Sequence, residues 1–197
     1  MSSEKKTTKL KGKDLINVGI YSAIYCVLTC MFAMLGFIPI FMPLLSVLVP
    51  IFGGIPFMLF LTKARKPGMI FLMTMIMGIM MLLTGMGAYA LCVGLVSGIV
   101  AELIWKSGNY EKSIKGILAY GVFCVWIFGN YIPLFTNPEA YFATRQSFGQ
   151  EYIDTLARIM QIWMCPVMFA SCIVCGIIGG FLGKALLKKH FKKAGIA

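Results

Sequence analysis

The chain has 197 residues, a formal net charge of +11 at pH 7 and a hydrophobic fraction of 59%, with a mean hydropathy of +0.87. This composition leaves little room for a soluble domain and predicts a single domain embedded in a membrane. The lysines lie at the ends of apolar runs rather than on one soluble face, which argues against nucleic-acid binding as the meaning of the charge.

Six apolar runs are each close to the roughly 20 residues that a helix needs to cross about 30 Å of hydrocarbon. In chain order they are Leu15 to Phe37, Ile40 to Thr62, Met69 to Leu83, Gly87 to Trp105, Gly116 to Phe135 and Met160 to Leu187. They predict an all-α membrane protein, a bundle of six transmembrane helices. Residues 1–13 form a basic leading segment, residues 136–159 a long outer loop, and residues 188–197 a basic tail.

The basic residues are distributed unevenly between the two ends of this layout. Sixteen of the 18 lysines and arginines lie on the side of the N-terminus, and only Arg145 and Arg158 lie on the other side. Cytoplasmic loops carry an excess of basic residues, so both termini are predicted to be cytoplasmic in a prokaryotic cell membrane.

Small residues recur at helical spacing in three of the predicted spans, which predicts a tightly packed bundle because small side chains let helices approach in lipid. The stripes are Gly19, Ala23, Cys26, Cys30 and Ala33 in the first span, Ala90, Gly94 and Gly98 in the fourth, and two pairs, Gly176 with Gly180 and Gly179 with Gly183, in the sixth. All seven cysteines fall inside spans, and we expect no disulfides.

The second span contains Pro43, Pro50 and Pro56 together with Gly53-Gly54. These residues remove backbone hydrogen bonds and are expected to bend or break the helix. Such a segment is either the wall of a cavity, or a movable element, or a kinked helix shielded by its neighbours.

The long outer loop is predicted to contain two helices. Asn137 before Pro138 is typical of a helix start, and Ser147-x-x-Gln150 is a capping-box pattern that predicts the start of the second. On that second helix the polar and sulfur-bearing residues at steps of three and four share one face leading toward the membrane. They are Glu151, Asp154, Arg158, Gln161 and Cys165.

A solute site is predicted where this face meets the outer end of the fifth span, where Trp126 and Asn130 lie one turn apart and Tyr131 follows. An amide and aromatic rings suit an organic ligand better than a bare ion. Two alternatives are open. In the first, an i,i+4 ion pair forms on the surface between Asp154 and Arg158. In the second, an interfacial aromatic belt is formed by Trp126, Tyr131 and Trp163.

Glu102 is the one acidic residue within a predicted span. It is either a functional intramembrane group or a side chain that reaches the interface and pairs with a lysine. The single histidine, His190, lies in the basic tail, so the residues for a metal or acid–base site are lacking. No GxxxxGK[ST] phosphate loop occurs, so any ATP-driven transport needs partner subunits.

The opening KGKDLINVGIYSAIY, residues 11–25, followed by GFIPIF, residues 36–41, resembles the membrane S component of an energy-coupling factor (ECF) transporter, and within that superfamily the Trep_Strep group. The resemblance covers essentially the whole chain. It implies a six-helix protein that captures a solute outside, docks on a T membrane subunit carrying two ABC ATPases, and tips to release the solute inward.

Docking in that superfamily uses an Ala-x-x-x-Ala face on the first helix, which corresponds here to Gly19 and Ala23. The resemblance implies a vitamin, another small organic nutrient, or a nickel or cobalt ion as solute. Because no histidine lies near the N-terminus or the outer face, we expect an organic micronutrient and no metal. We expect no cofactor in this chain and no catalytic role. The rival hypotheses are an intramembrane enzyme for lipid or peptide that uses Glu102, and a stand-alone secondary transporter.

Overall fold

The computed structural model describes residues 9–191, with side chains up to Lys189. Residues 1–8 of the predicted basic segment and residues 192–197 of the predicted tail lie outside the described part, as does the side chain of His190. The described chain is helical, without a strand. Its helices are α1 Gly12–Ala33, α2 Leu45–Lys63, α3 Met69–Leu83, α4 Tyr89–Ser107, α5 Ser113–Phe123, α6 Val125–Gly129, α7 Ile132–Thr136, α8 Pro138–Ala143, α9 Gln150–Ile159 and α10 Met164–Leu186.

Among the described residues, four helical segments are long and apolar enough to cross a membrane, namely Gly12–Phe37, Leu45–Lys63, Tyr89–Ser107 and Met164–Lys189. Met69–Leu83 and Ser113–Gly129 are apolar but shorter. At a rise of about 1.5 Å per residue, the 15 residues of α3 extend over about 22 Å, less than the roughly 30 Å of a bilayer core. The predicted all-helical fold is therefore confirmed for the described residues, with four candidate membrane spans, whereas the count of six spans stays a prediction.

The helices run between two ends with different chemistry. At the basic end, the Lys66 ammonium forms a 2.6 Å ion pair with Asp14 at the start of α1, and the Trp105 indole donates to the carbonyl of Ala64 at 2.8 Å. At the opposite, distal end, the Tyr152 hydroxyl donates to the carbonyl of Gly36 at 2.7 Å. The loop 34–44 and the segment 130–163 lie at this distal end.

Several predicted span boundaries were wrong. The second span begins at Leu45 rather than Ile40, because Pro39 lies in a separate 3₁₀ turn, Pro39–Phe41, and the chain turns again at Pro43 before the helix starts. The predicted fifth span is interrupted between α5 and α6 and again between α6 and α7. The sixth starts at Met164, which places Pro166 in the first helical turn, where a missing N–H is tolerated.

Helix α2 continues through Pro50 and Pro56 without a break. Both prolines are buried, and the Tyr120 hydroxyl donates to the carbonyl of Pro50 at 2.7 Å. Of the two expected effects, a break does not occur, and the prolines are shielded by neighbouring helices. Its N-terminal residues Leu45 and Val49 also line a cavity at the distal end.

The two glycine pairs of α10 contact two neighbouring helices, and this confirms the predicted close packing. A Cβ at Gly179 would overlap the carbonyl of Pro50 and lie 2.9 Å from Cα of Ile51, both on α2. On the adjacent side, a Cβ at Gly176 would lie 2.9 Å from Cα of Gly121 on α5. Backbone therefore meets backbone on both sides, which is the close approach that small residues permit in a membrane.

The small-residue stripe of α4 also faces the bundle interior. Ala90, Gly94 and Gly98 are all buried. A Cβ at Gly98 would lie 2.5 Å from Oγ1 of Thr74 on α3, and one at Gly129 on α6 would lie 2.8 Å from Cα of Ala90. The predicted close packing of this helix is confirmed.

The stripe of α1 behaves differently. The buried face of α1 consists of Val18, Ser22, Tyr25 and Thr29, whereas Gly19 and Ala23 are exposed. No atom of residues 9–189 lies within 4 Å of a Cβ placed at Gly19. In this stripe Cys26 packs against the core, but Gly19 and Ala23 do not, because larger side chains, Tyr25 above all, fill the interior on that side.

All seven cysteines are free thiols. Cys124 and Cys172 are completely buried among apolar side chains. They act as small packing residues, which is the behaviour expected of free cysteine in an apolar interior.

Candidate functional site

A cavity opens at the distal end between α1, the loop 34–44, the end of α3 and the start of α9. It has two connected parts, an outer part of about 320 Å³ and an inner recess of about 70 Å³. We call the two together the distal cavity. Six residues line both parts, namely Thr29, Ala33, Met42, Leu45, Met81 and Met86.

The inner recess ends at two polar side chains that have unused hydrogen-bonding atoms. Trp126 is 1% exposed, and its Nε1–H makes no hydrogen bond of standard geometry with a described residue, although the Tyr25 side chain lies beside it. The Asn130 amide donates from Nδ2 to the carbonyl of Ile127 at 3.2 Å, while its buried Oδ1 has no partner in the described structure. A buried polar atom left unpaired costs free energy, so one free donor and one free acceptor beside a cavity indicate a place for a ligand.

Tyr131 also lines the recess and holds the loop above it. The side chain is buried, and its hydroxyl donates to the carbonyl of Met42 at 3.0 Å. The structure thus brings the predicted residues Trp126, Asn130 and Tyr131 together at one cavity. Trp126 and Tyr131 are too deeply buried to form an interfacial belt, whereas Trp163 is exposed.

The mouth of the cavity is formed by Arg145, Phe148 and Tyr152. The Arg145 guanidinium lies 3.7 Å from the centre of the Tyr141 ring and donates to the carbonyl of Tyr141 at 3.0 Å. These contacts hold a positive charge at the entrance. Burial raises the pKa of Tyr141 and of Tyr152, so both phenols remain protonated at neutral pH.

Sequence reasoning missed these three mouth residues as site residues. Arg145 had one signal, since it is one of only two basic residues on the predicted outer side. Phe148 and Tyr152 are four residues apart, and their rings stack with centroids 5.0 Å apart. On α9 itself, Tyr152 and Leu156 form an apolar i,i+4 pair that marks the buried face of the helix.

Residues 12–193 match the family Trep_Strep, described as hypothetical bacterial integral membrane proteins. The chain belongs to this family. No curated protein and no solved structure matches it. This Trep_Strep protein is thus an integral, multi-pass membrane protein of bacteria, as the family description states and as its four long apolar helices are consistent with.

The polar face predicted on α9 lies away from the distal cavity of this Trep_Strep protein. Glu151, Asp154 and Arg158 are exposed, as is Gln161 beyond the helix end, and none of them lines the cavity. Asp154 accepts from the Gln150 side chain at 2.8 Å rather than from Arg158. A ligand role for these four residues remains a prediction without geometric support.

The two predicted helix starts in the loop have different outcomes. Asn137 Oδ1 accepts from the backbone N–H of Ala140 at 3.2 Å and caps α8, as predicted. The capping box at Ser147 was wrong, because Ser147 lies in a 3₁₀ turn and α9 begins at Gln150 after Gly149. Gly149 has a φ of 89°, a conformation that glycine adopts without steric cost.

Glu102 caps a neighbouring helix instead of pairing with a lysine. Its Oε2 accepts from the backbone N–H of Ile70 at 2.9 Å and lies 3.4 Å from that of Phe71, so it satisfies the first turn of α3, whose N-cap Gly68 has no side chain. The expected lysine partner was wrong.

Tyr110 lies in the loop after α4. Its burial and the nearby Glu102 carboxylate raise the pKa of its hydroxyl to about 12.

Proposed function

We propose that this Trep_Strep protein is the substrate-binding S component of an ECF-type importer. It captures a small organic solute from outside in the distal cavity and docks on a T subunit with two ATPases. The observation that supports this most is that Trp126 Nε1 and Asn130 Oδ1, which have no hydrogen-bond partner of standard geometry among the described residues, lie at the end of a mostly apolar recess.

The lining of the cavity favours an organic micronutrient as solute. Met42, Leu45, Met81 and Met86 line both parts of the cavity, and their apolar side chains provide no ligands for a hard ion. Ligand sites for organic molecules typically combine an apolar wall with a few placed polar groups. These conditions are met by a solute that accepts a hydrogen bond from Trp126 and donates one to Asn130. The rest of the solute would occupy the outer part of the cavity and pack against Phe148.

The uncovered face of α1 supports the docking part of the proposal. Gly19 and Ala23 are exposed, with open space above Gly19. Small residues let a second helix approach closely within lipid, where apolar surface alone gives little attraction. Because the sequence has no phosphate-binding loop, the energy for uptake would come from ATP bound by partner subunits.

We also propose that α3 and the pair α5–α6 cross the membrane with the four longer helices, giving six spans. The basic end would then be cytoplasmic and the distal cavity would face outward. The clustering of lysines at one end supports this orientation. The bilayer would have to thin locally around α3, which costs fractions of a kcal/mol per Å of mismatch.

An enzymatic role is not part of the proposal. Glu102, on which such a role would depend, already uses Oε2 to cap α3. Glu102→Gln keeps a carbonyl oxygen for the Ile70 N–H, so we expect solute binding to persist. An activity on lipid or peptide that disappears in this variant would support the enzyme hypothesis instead.

The solute site is tested by native mass spectrometry of the detergent-purified protein, which detects a retained small molecule, followed by binding measurements with that molecule. Trp126→Phe keeps a ring and removes the N–H, so affinity should fall about tenfold, as expected for a lost hydrogen bond of about 1.5 kcal/mol. Trp163→Phe is the matched control, since Trp163 is 61% exposed and lies outside the cavity. Equal affinity in the two variants would contradict the assignment of the site.

The docking surface is tested by co-purification with the T subunit and ATPases. Gly19→Leu or Ala23→Leu should reduce assembly, because a bulky side chain keeps the partner helix away. Ala170→Leu adds similar bulk at an exposed position on α10 and should assemble normally. Solute transport by the purified chain alone in liposomes would favour the stand-alone transporter.

A further inference from the structure

A second and larger cavity lies at the basic end, between the end of α2, the loop after α4 and the end of α10. Its volume is about 510 Å³. Three cationic side chains line it, Arg65, Lys184 and Lys188. We call it the basic cavity, and the proposed solute function makes no use of it.

None of the three cationic side chains forms an ion pair with a described residue. Arg65 uses only Nε in a hydrogen bond, 3.3 Å from the carbonyl of Thr62. Lys184 and Lys188 are one turn apart on the same face, and like charges at this spacing repel. Glu111 also lines the cavity, so the four charged side chains together carry a net positive charge.

The positive-inside tendency accounts for the number of basic residues at this end but not for their convergence on a cavity. Lys66, at the same end, is paired with Asp14. Lys106, Lys112 and Lys115 do not line the cavity. Three cations from two separate segments therefore face one hollow, and an anion placed there would relieve their repulsion.

The lower part of the cavity is apolar. Met58, Leu61 and Leu187 are buried and line it below the cations. Trp105 and Tyr110 form an aromatic wall, with ring centroids 6.3 Å apart at 88°. Charge at the surface above apolar and aromatic groups matches the boundary between phospholipid headgroups and acyl chains.

The loop that forms this wall is held in an unusual conformation. Asn109 and Tyr110 are consecutive non-glycine residues with φ values of 54° and 59°. Such left-handed residues cost free energy and persist only where the surrounding structure enforces them, often at ligand sites. The conformation positions the Tyr110 ring against Trp105.

We propose that the basic cavity binds the headgroup phosphate of an anionic phospholipid, with Arg65, Lys184 and Lys188 around the phosphate and an acyl chain against Met58, Leu61 and Leu187. Basic pockets between membrane helices at the cytoplasmic side suit anionic headgroups. Free inorganic phosphate would make no use of the apolar part. This proposal is independent of the identity or existence of a transported solute.

The test is native mass spectrometry of delipidated protein titrated with phosphatidylglycerol or with phosphatidylcholine of identical acyl chains. Wild type should bind phosphatidylglycerol more tightly. In Arg65→Gln/Lys184→Gln/Lys188→Gln this preference should disappear, with a loss of about fivefold per charge, the effect expected of a basic residue near an anionic surface. All three residues are exposed. If the triple variant is not monodisperse, the single variant Lys188→Gln should show a loss of about fivefold.

The matched control is Lys106→Gln/Lys112→Gln/Lys115→Gln, which removes three charges from the same end and leaves the basic cavity intact. It should keep the preference, and an equal loss in the control would mean a general charge effect and overturn the proposal. In a third arm the protein is titrated with inorganic phosphate. If inorganic phosphate binds as tightly as phosphatidylglycerol, the cavity is a site for free phosphate instead. Equal binding of the two lipids, with Lys184 cross-linking to a co-purified protein, would assign it to a protein partner.

Discussion

The glycines of α10 and the small residues of α1 follow similar spacing but have opposite surroundings. Gly179 and Gly183 press against the backbone of α2, whereas Gly19 and Ala23 are uncovered. Both stripes create a surface that another helix can approach closely. Small-residue spacing therefore identifies a potential helix contact but does not determine whether the partner helix belongs to the same chain.

Residues beside each stripe account for the difference. On α10 the two glycine pairs are interleaved, so α2 and α5 approach on adjacent sides. On α1 the interior is reached by Tyr25, whose ring lies 5.5 Å from Phe123 and 6.4 Å from Trp126. Filling the interior with this aromatic side chain turns the small residues of α1 away from the bundle.

The largest effect is expected for Gly179→Ala. The added Cβ would overlap the Pro50 carbonyl, and backbone on both sides cannot give way as a side chain can. We expect destabilisation of about 3 kcal/mol or more, at the upper end of overpacking effects. Thermal unfolding in detergent, followed by size-exclusion chromatography, measures this. A monodisperse variant with unchanged midpoint would show that α2 and α10 are not in backbone contact.

A smaller loss is expected for Gly98→Ala in the stripe of α4. The Cβ would meet the Thr74 side chain at 2.5 Å, and Thr74 can rotate at the cost of its 2.8 Å hydrogen bond to the Ile70 carbonyl. The expected destabilisation is about 1–2 kcal/mol. Thr74→Ala in the same protein should recover part of it. Additive effects of the two substitutions would indicate that the residues do not touch.

The smallest effect, with the opposite sign, is expected for Gly19→Ala. A Cβ at this position meets nothing within 4 Å, and alanine is a better helix former than glycine by about 0.5–1 kcal/mol. The isolated protein should therefore unfold at a slightly higher temperature. A clear destabilisation would mean that the α1 stripe is packed within the chain and would remove the difference between the two stripes.

The part of the candidate site that belongs to the core of the bundle was predictable from residue spacing. Trp126 and Asn130 are one helical turn apart near the distal end, and both line the recess. On the amphipathic α9 the prediction followed the polar residues, yet Tyr152 and Phe148 line the cavity while Glu151 faces outward. A polar stripe on a surface helix is most simply satisfied by water, and spacing alone does not distinguish water from a ligand.

Glu102 shows the same limit for a single charged residue. Its position near the end of α4 made a lysine the obvious partner. The partner is instead the start of α3, where Gly68 offers no capping side chain and Ile70 donates to the carboxylate. That pairing joins residues 32 positions apart, and only the packing of α3 on α4 brings them together.

The sequence by itself determined that the chain is membrane-embedded, which segments are apolar helices, where the basic residues cluster and which surfaces permit close helix approach. Each of these depends on the transfer of individual residues between water and lipid, or on local spacing. The tertiary structure alone decided that α10 is covered while Gly19 is not, that Glu102 caps α3, and that Trp126 ends a cavity. Lipid solvates apolar surface nearly as well as protein does, so these choices depend on the fit of whole helices.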